Sequence, residues 1–323
     1  MPEPTTLSSV INKNNAGARL IDFLSSRFRY HTIEKWEEII NAQDVKVNGS
    51  ASLPDYILKN KDIVSYTVIL NEPPVDSNIK IIHNEDSFLV AFKPGNLPSH
   101  ADGNFIKHTF SYLIKKMMSD KGYDGYLKLA HRLDRETSGL LVVAKSKDAN
   151  RALARQFEAH AVEKEYIAIV RGSIQDASFE ADGAIAPDPE SSVSIRKRVV
   201  PAGTPNAQAS LTRFEVIERL TDYTVVRCLP ATGRTNQIRV HLAHIGHPLA
   251  GDKLYGRSDA EFLEFVRAAR RGSFEMLPWM DAPRHMLHAS SIAFKHPVTG
   301  ERVQFLCPVP EDMMEFIRKV LKK

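Results

Sequence analysis

Residues 131–145 read HRLDRETSGLLVVAK and divide into two parts of different character. The first part, from His131 to Ser138, is a dense run of polar residues. The second, from Leu140 to Ala144, is an unbroken apolar segment that contains two valines. An apolar run of this length after a glycine is typical of a buried strand. A charged loop is therefore predicted at the entrance of that strand.

The polar run places one carboxylate between two guanidinium groups. Arg132 and Arg135 flank Asp134, and nearby positive charge favours the ionised form of a carboxylate. An ionised carboxylate in a fixed position is a candidate nucleophile or general base. The alternative is a purely structural ion-pair network, because such networks perturb carboxylates as well. Composition alone leaves both interpretations open.

The segment HRLDRETSG resembles the signature loop of the RluA-like pseudouridine synthases, in which H-R-L-D is followed by two variable residues and T-S-G. Every fixed position of that pattern is matched here. The resemblance implies that Asp134 is the catalytic nucleophile. The position of Arg132, two residues earlier, suggests that it fills the gap left by a nucleotide flipped out of its helix. A structural ion pair is the alternative role for this arginine.

Two further segments resemble motifs of the same family. Residues 164–172, KEYIAIVRG, match the pattern K-x-Y-x-A-x-V-x-G, whose tyrosine lies against the target base, which implies that position for Tyr166. A tyrosine on a strand face with its hydroxyl hydrogen-bonded is the alternative. Residues 231–256 resemble the motif G-R-T-H-Q-I-R-V-H, with Asn236 in place of the histidine. The arginine that pairs with the aspartate in relatives corresponds to Arg239.

Together the motifs predict that three distant segments meet at one site. We expect the Arg239 guanidinium to make a bidentate, charge-assisted contact with the Asp134 carboxylate. We also expect the Tyr166 ring to line the same cleft, which makes these three the predicted catalytic residues. The predicted RNA-contacting residues are basic and lie in the motifs or in the N-terminal segment: Arg132, Arg135, Lys164, Arg234, Arg19 and Arg27.

Residues 17–72 are predicted to form a separate small module. Apolar residues between positions 20 and 28 follow helical spacing, and Thr32 is a candidate cap for a second helix. Residues 45–49 and 63–70 indicate short strands. This order of elements resembles the S-four-type RNA-binding module, which implies contacts between its arginines and RNA backbone. The alternative is an accessory domain whose arginines are simply solvated.

The remaining chain is divided by its prolines. Residues 1–16, with two prolines and several asparagines, are predicted to be a flexible tail. Glu72-Pro73-Pro74 is the predicted linker, because two prolines stiffen the chain and stop a sheet. Residues 73–323 are predicted to be the catalytic domain. Its fold class is expected to be α+β, with a mixed, largely antiparallel central sheet flanked by helices.

Composition indicates an ordinary globular protein. Of the 323 residues, 43% are hydrophobic and 25% are charged, and no apolar run approaches the roughly 20 residues that span a bilayer. Cys228 and Cys307 are the only cysteines, so neither a disulfide framework nor a cysteine metal site is suggested. These features favour a cytoplasmic protein with no membrane partner, expected to be a monomer. The net charge of +4 permits a polyanionic partner.

A rival interpretation is a metal-dependent hydrolase. His241, His244 and His247 recur at intervals of three, and Asp252 follows, and such residues can bind zinc or iron. Pro248 ends the helix near the third histidine, so three ligands on one face are not expected. We therefore predict no metal.

The resemblance implies isomerisation of uridine to pseudouridine within ribosomal RNA or transfer RNA. Reactant and product have the same atoms, so no cofactor is expected. The nucleotide must leave its helix before the base can react. Whether Asp134 attacks the sugar or removes a sugar proton to give a glycal stays open. A non-catalytic RNA-binding protein is the alternative, and the presence of all three predicted catalytic residues argues against it.

Overall fold

The computed structural model describes residues 4–28, 31–69, 72–102, 105–270 and 275–322. The chain forms two compact units, which we call unit 1 and unit 2. Unit 1 comprises Met1–Pro73 and Ala101–Lys107, and unit 2 comprises Pro74–His100 and His108–Lys323. The predicted boundary after residue 72 lies one residue from this division. The return of the chain to unit 1 was not predicted, and the Glu72 carboxylate stabilises it by accepting hydrogen bonds from the N–H groups of Ile106 and Lys107.

Unit 1 contains a four-stranded antiparallel sheet and two helices, in which the strand order is β1-β4-β2-β3. Its elements are β1 (Pro4–Val10), α1 (Leu20–Arg27), α2 (Ile33–Asn41), β2 (Val45–Val47), β3 (Ser50–Ala51) and β4 (Ile63–Ile69). The two helices and strands β2 and β4 were predicted from sequence, whereas β1 and β3 were not. Leu70 of the predicted last strand lies outside the described residues.

The prediction of a flexible tail is wrong for residues 4–10. Strand β1 pairs with β4 over its whole length, from Pro4 opposite Ile69 to Val10 opposite Ile63. Leu7 packs against the core of unit 1, so the strand gains apolar contacts as well as backbone hydrogen bonds. Because prolines and asparagines lie in and next to this segment, its composition did not indicate a strand. Residues 1–3 of the predicted tail lie outside the described residues.

The core of unit 1 is apolar and is built on the helix faces that the sequence indicated. Leu20, Leu24 and Trp36 are fully buried. The Thr32 hydroxyl accepts a hydrogen bond from the N–H group of Lys35, which confirms Thr32 as the cap of α2. The burial of one tryptophan and several large aliphatic side chains supplies the stabilisation of this small unit.

Unit 2 is built on a ten-stranded sheet with the order β10-β13-β14-β9-β15-β8-β6-β5, in which β7 pairs with β8 and β16 with β15. Strands β11 and β12 form a separate hairpin. The elements are β5 (Lys80–Asn84), β6 (Phe88–Lys93), α3 (Phe110–Ser119), β7 (Lys128–Leu129), β8 (Ser138–Ala144), α4 (Lys147–Glu158), β9 (Glu163–Arg171), β10 (Ser178–Asp182), β11 (Ala184–Pro187), β12 (Lys197–Val200), β13 (Leu211–Arg219), β14 (Tyr223–Pro230), α5 (Gln237–His244), α6 (Asp259–Arg270), β15 (Leu287–Lys295), β16 (Arg302–Leu306) and α7 (Glu311–Leu321).

The predicted fold class is confirmed. Strands β15 and β8 run parallel, whereas the other strand pairs of the large sheet are antiparallel, so the sheet is mixed and largely antiparallel with helices around it. In the described ranges, no helix has both the length and the apolar character needed to cross a membrane.

The predicted buried strand is β8, every residue of which is buried. It lies between β6 and β15, so both of its edges are paired. Gly139, at φ +123°, begins the close approach to β15, where an added Cβ would collide with the backbone of Ala289. The polar signature loop therefore ends where β8 enters the sheet, and Asp134 lies just outside the buried core.

Candidate active site

A cavity of about 720 Å³ opens beside the signature loop in unit 2. Its lining comes from three parts of the chain that are far apart in sequence. The signature loop contributes Asp134, strand β9 contributes Tyr166, and helix α5 contributes Arg239. A volume of this size falls in the usual range for ligand sites. These three residues therefore line one cavity, as the motifs predicted.

The predicted contact between Arg239 and Asp134 is present, but its geometry differs from the prediction. One guanidinium nitrogen, Nη1, lies 3.1 Å from Oδ2 of Asp134. The bidentate contact is made instead with Asp252, at 2.7 Å for Nε to Oδ2 and 3.0 Å for Nη2 to Oδ1. The planar guanidinium has separate edges. One edge binds the fully buried Asp252, which leaves Nη1 for Asp134.

These contacts hold Arg239 and Asp252 in their charged forms. Burial opposes the charge on the guanidinium, yet the carboxylates of Asp252 and Asp134 outweigh burial and raise the pKa of Arg239 above its ordinary value. Burial also opposes the charge on Asp252. Arg239 and the N–H groups of Tyr255 and Leu254 outweigh it and lower the pKa of that carboxyl. The Asp134 carboxylate therefore faces a permanent positive charge.

Asn236, which departs from the family motif, has a defined place beside Arg239. Its Oδ1 accepts a hydrogen bond from Nη1 of Arg239 at 3.1 Å, and its Nδ2 donates to the Tyr255 hydroxyl at 3.1 Å. The residue has φ +61° at the start of α5, a left-handed conformation that asparagine tolerates better than most residues. The Tyr255 ring lies under the guanidinium, 5.0 Å from Cζ to the ring centroid. The side-chain amide therefore joins Arg239 to Tyr255.

Tyr166 lies in the middle of β9, which pairs on one side with β14 and on the other with β15. Its ring packs against two apolar clusters of unit 2. Burial, together with the charge of Asp134, raises the pKa of its hydroxyl above the ordinary value. The side chain is therefore a neutral phenol near neutral pH, with its ring at the cavity.

The backbone of the signature loop is tied down on both sides of Asp134. The Ser99 hydroxyl donates to the carbonyl oxygen of Leu133 at 2.6 Å and accepts from the N–H group of the same residue at 3.0 Å. The fully buried Lys93 ammonium donates to the carbonyl of Arg135 at 3.1 Å and to two carbonyls of its own loop. Burial lowers the pKa of Lys93 well below its ordinary value. The sequence motifs gave Lys93 no role.

Glu136 occupies a variable position of the motif, and its contacts were also missed. Its two carboxylate oxygens accept hydrogen bonds from Nζ of Lys253 at 2.7 Å and from the N–H group of His285 at 3.0 Å. His285 also shares a hydrogen bond with the Thr137 hydroxyl at 2.8 Å. Burial lowers the pKa of His285 well below its ordinary value. The loop after Asp134 is thus held by a buried polar network.

Three of the predicted RNA-contacting residues lie at the cavity. Arg132 is exposed at its edge. Lys164 donates to the carbonyl of Thr232 at 3.2 Å, and Arg234 donates to the carbonyl of Ala209 at 3.1 Å. These cations surround the opening from separate segments of the chain, which suits contact with a polyanion.

The other three predicted RNA-contacting residues are Arg135 of unit 2 and Arg19 and Arg27 of unit 1. Arg135 pairs with Glu136 at 3.5 Å and lines a second cavity of unit 2. In unit 1, Arg19 pairs with Asp22 at 2.7 Å, and Arg27 is exposed beside the Phe28 ring. Their contact with RNA stays a prediction.

Of the residues considered for a metal site, His241, His247 and Asp252 have other partners. The buried His241 shares hydrogen bonds with the hydroxyls of Ser210 and Thr212, and burial lowers its pKa to about 4. The ring of His247 contacts the carbonyl of Arg171 through Nδ1 at 2.9 Å. In the part of the chain that the structure describes, no group of three or more His, Cys, Asp or Glu side chains could hold a metal ion.

Comparison with known proteins gives a consistent result. The family model for RNA pseudouridylate synthase matches residues 87–244. An uncharacterized RNA pseudouridine synthase of Bacillus subtilis, YlyB, is 32% identical, over 94% of this chain and 94% of the relative. Ribosomal large subunit pseudouridine synthase C of Escherichia coli is 31% identical, over 98% of this chain and 97% of the relative.

A solved structure is also similar. The human RNA pseudouridylate synthase domain containing 1 superposes with a TM-score of 0.55 at 28% identity, over 73% of this chain and 86% of that one. The sequence motifs, the arrangement around Asp134 and these similarities lead to one assignment. The chain belongs to the RluA-like family of RNA pseudouridylate synthases, which are isomerases that act on RNA.

Proposed function

We propose that this protein converts uridine to pseudouridine in ribosomal RNA and that Asp134 is its nucleophile. The observation that carries this proposal is the contact between Asp134 and Arg239 at the cavity. Asp134 keeps 27% of its side chain exposed, whereas the guanidinium behind it is mostly buried. A carboxylate that is charged, aimed and reachable from a cavity can attack an electrophilic carbon.

The reaction keeps all the atoms of the nucleoside. The bond between N1 of uracil and C1′ of ribose breaks, the uracil turns, and a bond forms between C5 and C1′. The proton at C5 then leaves, and N1 of the turned base gains one. Asp134 either attacks C1′ directly or removes the proton at C2′ to give a glycal. In both routes Arg239 keeps the carboxylate oriented, and the Tyr166 ring confines the detached base.

The RNA must deliver its uridine into the cavity. A flipped nucleotide is reached at a cost of a few kcal/mol for a paired base, and less in a loop. The cations at the cavity edge, Arg132, Lys164 and Arg234, would bind the phosphates on either side of that nucleotide. Arg132 is exposed next to the signature loop, which suits a side chain that fills the gap in the RNA helix.

Ribosomal RNA is proposed as the substrate because the Escherichia coli relative is named a ribosomal large subunit pseudouridine synthase. Transfer RNA is the other outcome of the test. We further propose that the protein is cytoplasmic and that it acts as a monomer. Sedimentation of the purified protein tests the oligomeric state. Mapping pseudouridine in both RNA classes, from cells with and without the gene, should show one or more sites lost from ribosomal RNA.

The nucleophile is tested with Asp134→Asn, which keeps the volume of the side chain but removes its nucleophilic oxygen. We expect the single-turnover rate to fall by about 10⁴-fold or more, with the Kd for RNA nearly unchanged. The control is Asp148→Asn, because Asp148 is an exposed carboxylate on α4 that is paired with Arg151. A rate for Asp134→Asn within tenfold of the unmodified protein would exclude Asp134 as the nucleophile.

A further inference from the structure

A buried turn at Gly251, Asp252 and Lys253 lies behind the signature loop. The Asp252 side chain is fully buried, and only 6% of the Lys253 side chain is exposed. Gly251 has φ +73°, and an added Cβ there would collide with the carbonyl oxygen of Arg284. Packing therefore fixes the backbone of this turn, so its two charged side chains leave it in set directions.

The first charged residue of the turn, Asp252, holds Arg239. Its Oδ1 accepts from Nη2 of Arg239 and also from the N–H groups of Leu254 and Tyr255, at 2.8 and 2.9 Å. Its Oδ2 accepts from Nε of Arg239 at 2.7 Å. The bidentate pair leaves the guanidinium only one orientation, and in that orientation Nη1 meets Asp134.

The second charged residue, Lys253, holds the other side of the loop. Its ammonium donates to Oε1 of Glu136 at 2.7 Å and to the carbonyl of Pro283 at 2.7 Å. Glu136 lies two residues after Asp134. Burial opposes the charge on Glu136, but Lys253 and Arg135 outweigh it and lower its pKa. A buried ion pair between Lys253 and Glu136 thus attaches the loop to the turn. In this pair the turn supplies the cation, whereas in the pair of Asp252 with Arg239 it supplies the anion.

We propose that Asp252 and Lys253 are positioning residues for the reaction, which together fix Asp134 from two sides. Asp252 acts through Arg239, and Lys253 acts through Glu136. This inference rests on the proposed role of Asp134 as the nucleophile. Neither residue lines the cavity that holds Asp134. Their effect is on the aim of the carboxylate, since a displacement of about 1 Å in a reacting group can cost about 10²-fold in rate.

Asp252→Asn separates positioning from folding. The amide oxygen of Asn can still accept from the N–H groups of Leu254 and Tyr255, so the turn is kept. The amide nitrogen then faces Nε of Arg239, where two donors oppose each other. We expect the single-turnover rate constant to fall by about 10²-fold while the Kd for RNA changes less than about threefold.

The matched control is Asp259→Asn. Asp259 also pairs with an arginine, Arg196, at 2.9 Å, and it also accepts from a backbone N–H group, that of Ser192, at 2.6 Å. It belongs to α6 and is not part of the site. The control should keep its rate within about twofold of the unmodified protein. Lys253→Met, which keeps an unbranched side chain but removes the ammonium group, should lower the rate by about 10-fold or more.

A double variant shows whether Asp252 acts through Arg239. If it does, Asp252→Asn should lower the rate by less than about twofold in a protein that already carries Arg239→Lys. Independent, multiplicative losses would overturn the proposal, as would a rate for Asp252→Asn equal to that of Asp259→Asn. Full activity of Asp134→Asn would instead reject the proposed nucleophile. The two failures are therefore distinguishable.

Discussion

The signature loop of unit 2 and the helices of unit 1 use charged residues in opposite ways. Around the loop, Lys93 and Lys253 are buried, and each ammonium has fixed partners. In unit 1, the pair Arg19–Asp22 has both side chains about half exposed, and Arg27 is exposed. The amino groups of Lys93 and Lys253 are buried with fixed partners, whereas Arg19 and Arg27 of unit 1 are solvated.

The difference separates two kinds of function. A buried charge whose partner is removed costs about 3–5 kcal/mol, so each contact near Asp134 fixes a geometry. An exposed pair contributes about 0–1 kcal/mol, and a cation of this kind acts through its charge alone. Substitutions near Asp134 should therefore alter the rate, whereas those on unit 1 should alter the salt dependence of binding.

Among the tests of this contrast, the largest effect is expected at Arg239. Arg239→Lys keeps the charge but loses the planar edge that binds Asp252 and the separate Nη1 that contacts Asp134. The single-turnover rate should fall by about 10²- to 10³-fold, while the Kd for RNA changes little because most affinity comes from phosphate contacts. Arg227→Lys is the control, since Arg227 on β14 is half exposed and paired with Glu215. Equal losses of rate and affinity would mean that Arg239 contacts phosphate.

An intermediate effect, on the free energy of unfolding of unit 2, is expected when the pH is lowered. Burial lowers the pKa of His241 and of His288 to about 4, below the ordinary value of about 6.5. The unfolded chain therefore takes up protons first, and stability is lost as the pH falls from about 6.5 to about 4. Between pH 7.5 and pH 5, each of these histidines should lower the free energy of unfolding by roughly 2 kcal/mol.

Urea unfolding at the two pH values measures this loss. His241→Gln should reduce the difference between the two free energies of unfolding, whatever its own stability at pH 7.5. A difference equal to that of the unmodified protein would show that His241 does not contribute to the acid sensitivity.

The smallest effect is expected on unit 1. If Arg27 contacts RNA backbone, Arg27→Gln should weaken binding by less than about 1 kcal/mol and reduce the slope of log affinity against log salt by about one. The rate at saturating RNA should not change. The control is Arg318→Gln, because Arg318 is an exposed arginine of α7 paired with Glu311. An unchanged salt slope for Arg27→Gln would remove the support for an RNA contact at that residue.

The sequence by itself determined which three residues meet and that a buried strand follows the loop of Asp134. The nine residues of the signature loop identified Asp134, and the unbroken apolar run after it identified β8. Tyr166 and Arg239 followed from motifs of fixed spacing. Such information is local. The spacing of apolar residues in a segment indicates whether it forms a helix or a strand, and the residues of a motif indicate which reaction the site carries out.

Only the tertiary structure decided how the charges are shared. The sequence predicted a bidentate contact of Arg239 with Asp134, whereas that edge of the guanidinium binds Asp252. It gave Lys93 no role and took residues 4–10 for a flexible tail. The residue that pairs with a buried charge depends on which distant segments the sheet brings together. The same holds for the strand that pairs with residues 4–10. The apolar pattern of a segment indicates that it is buried, but the partners of its polar groups depend on the rest of the fold.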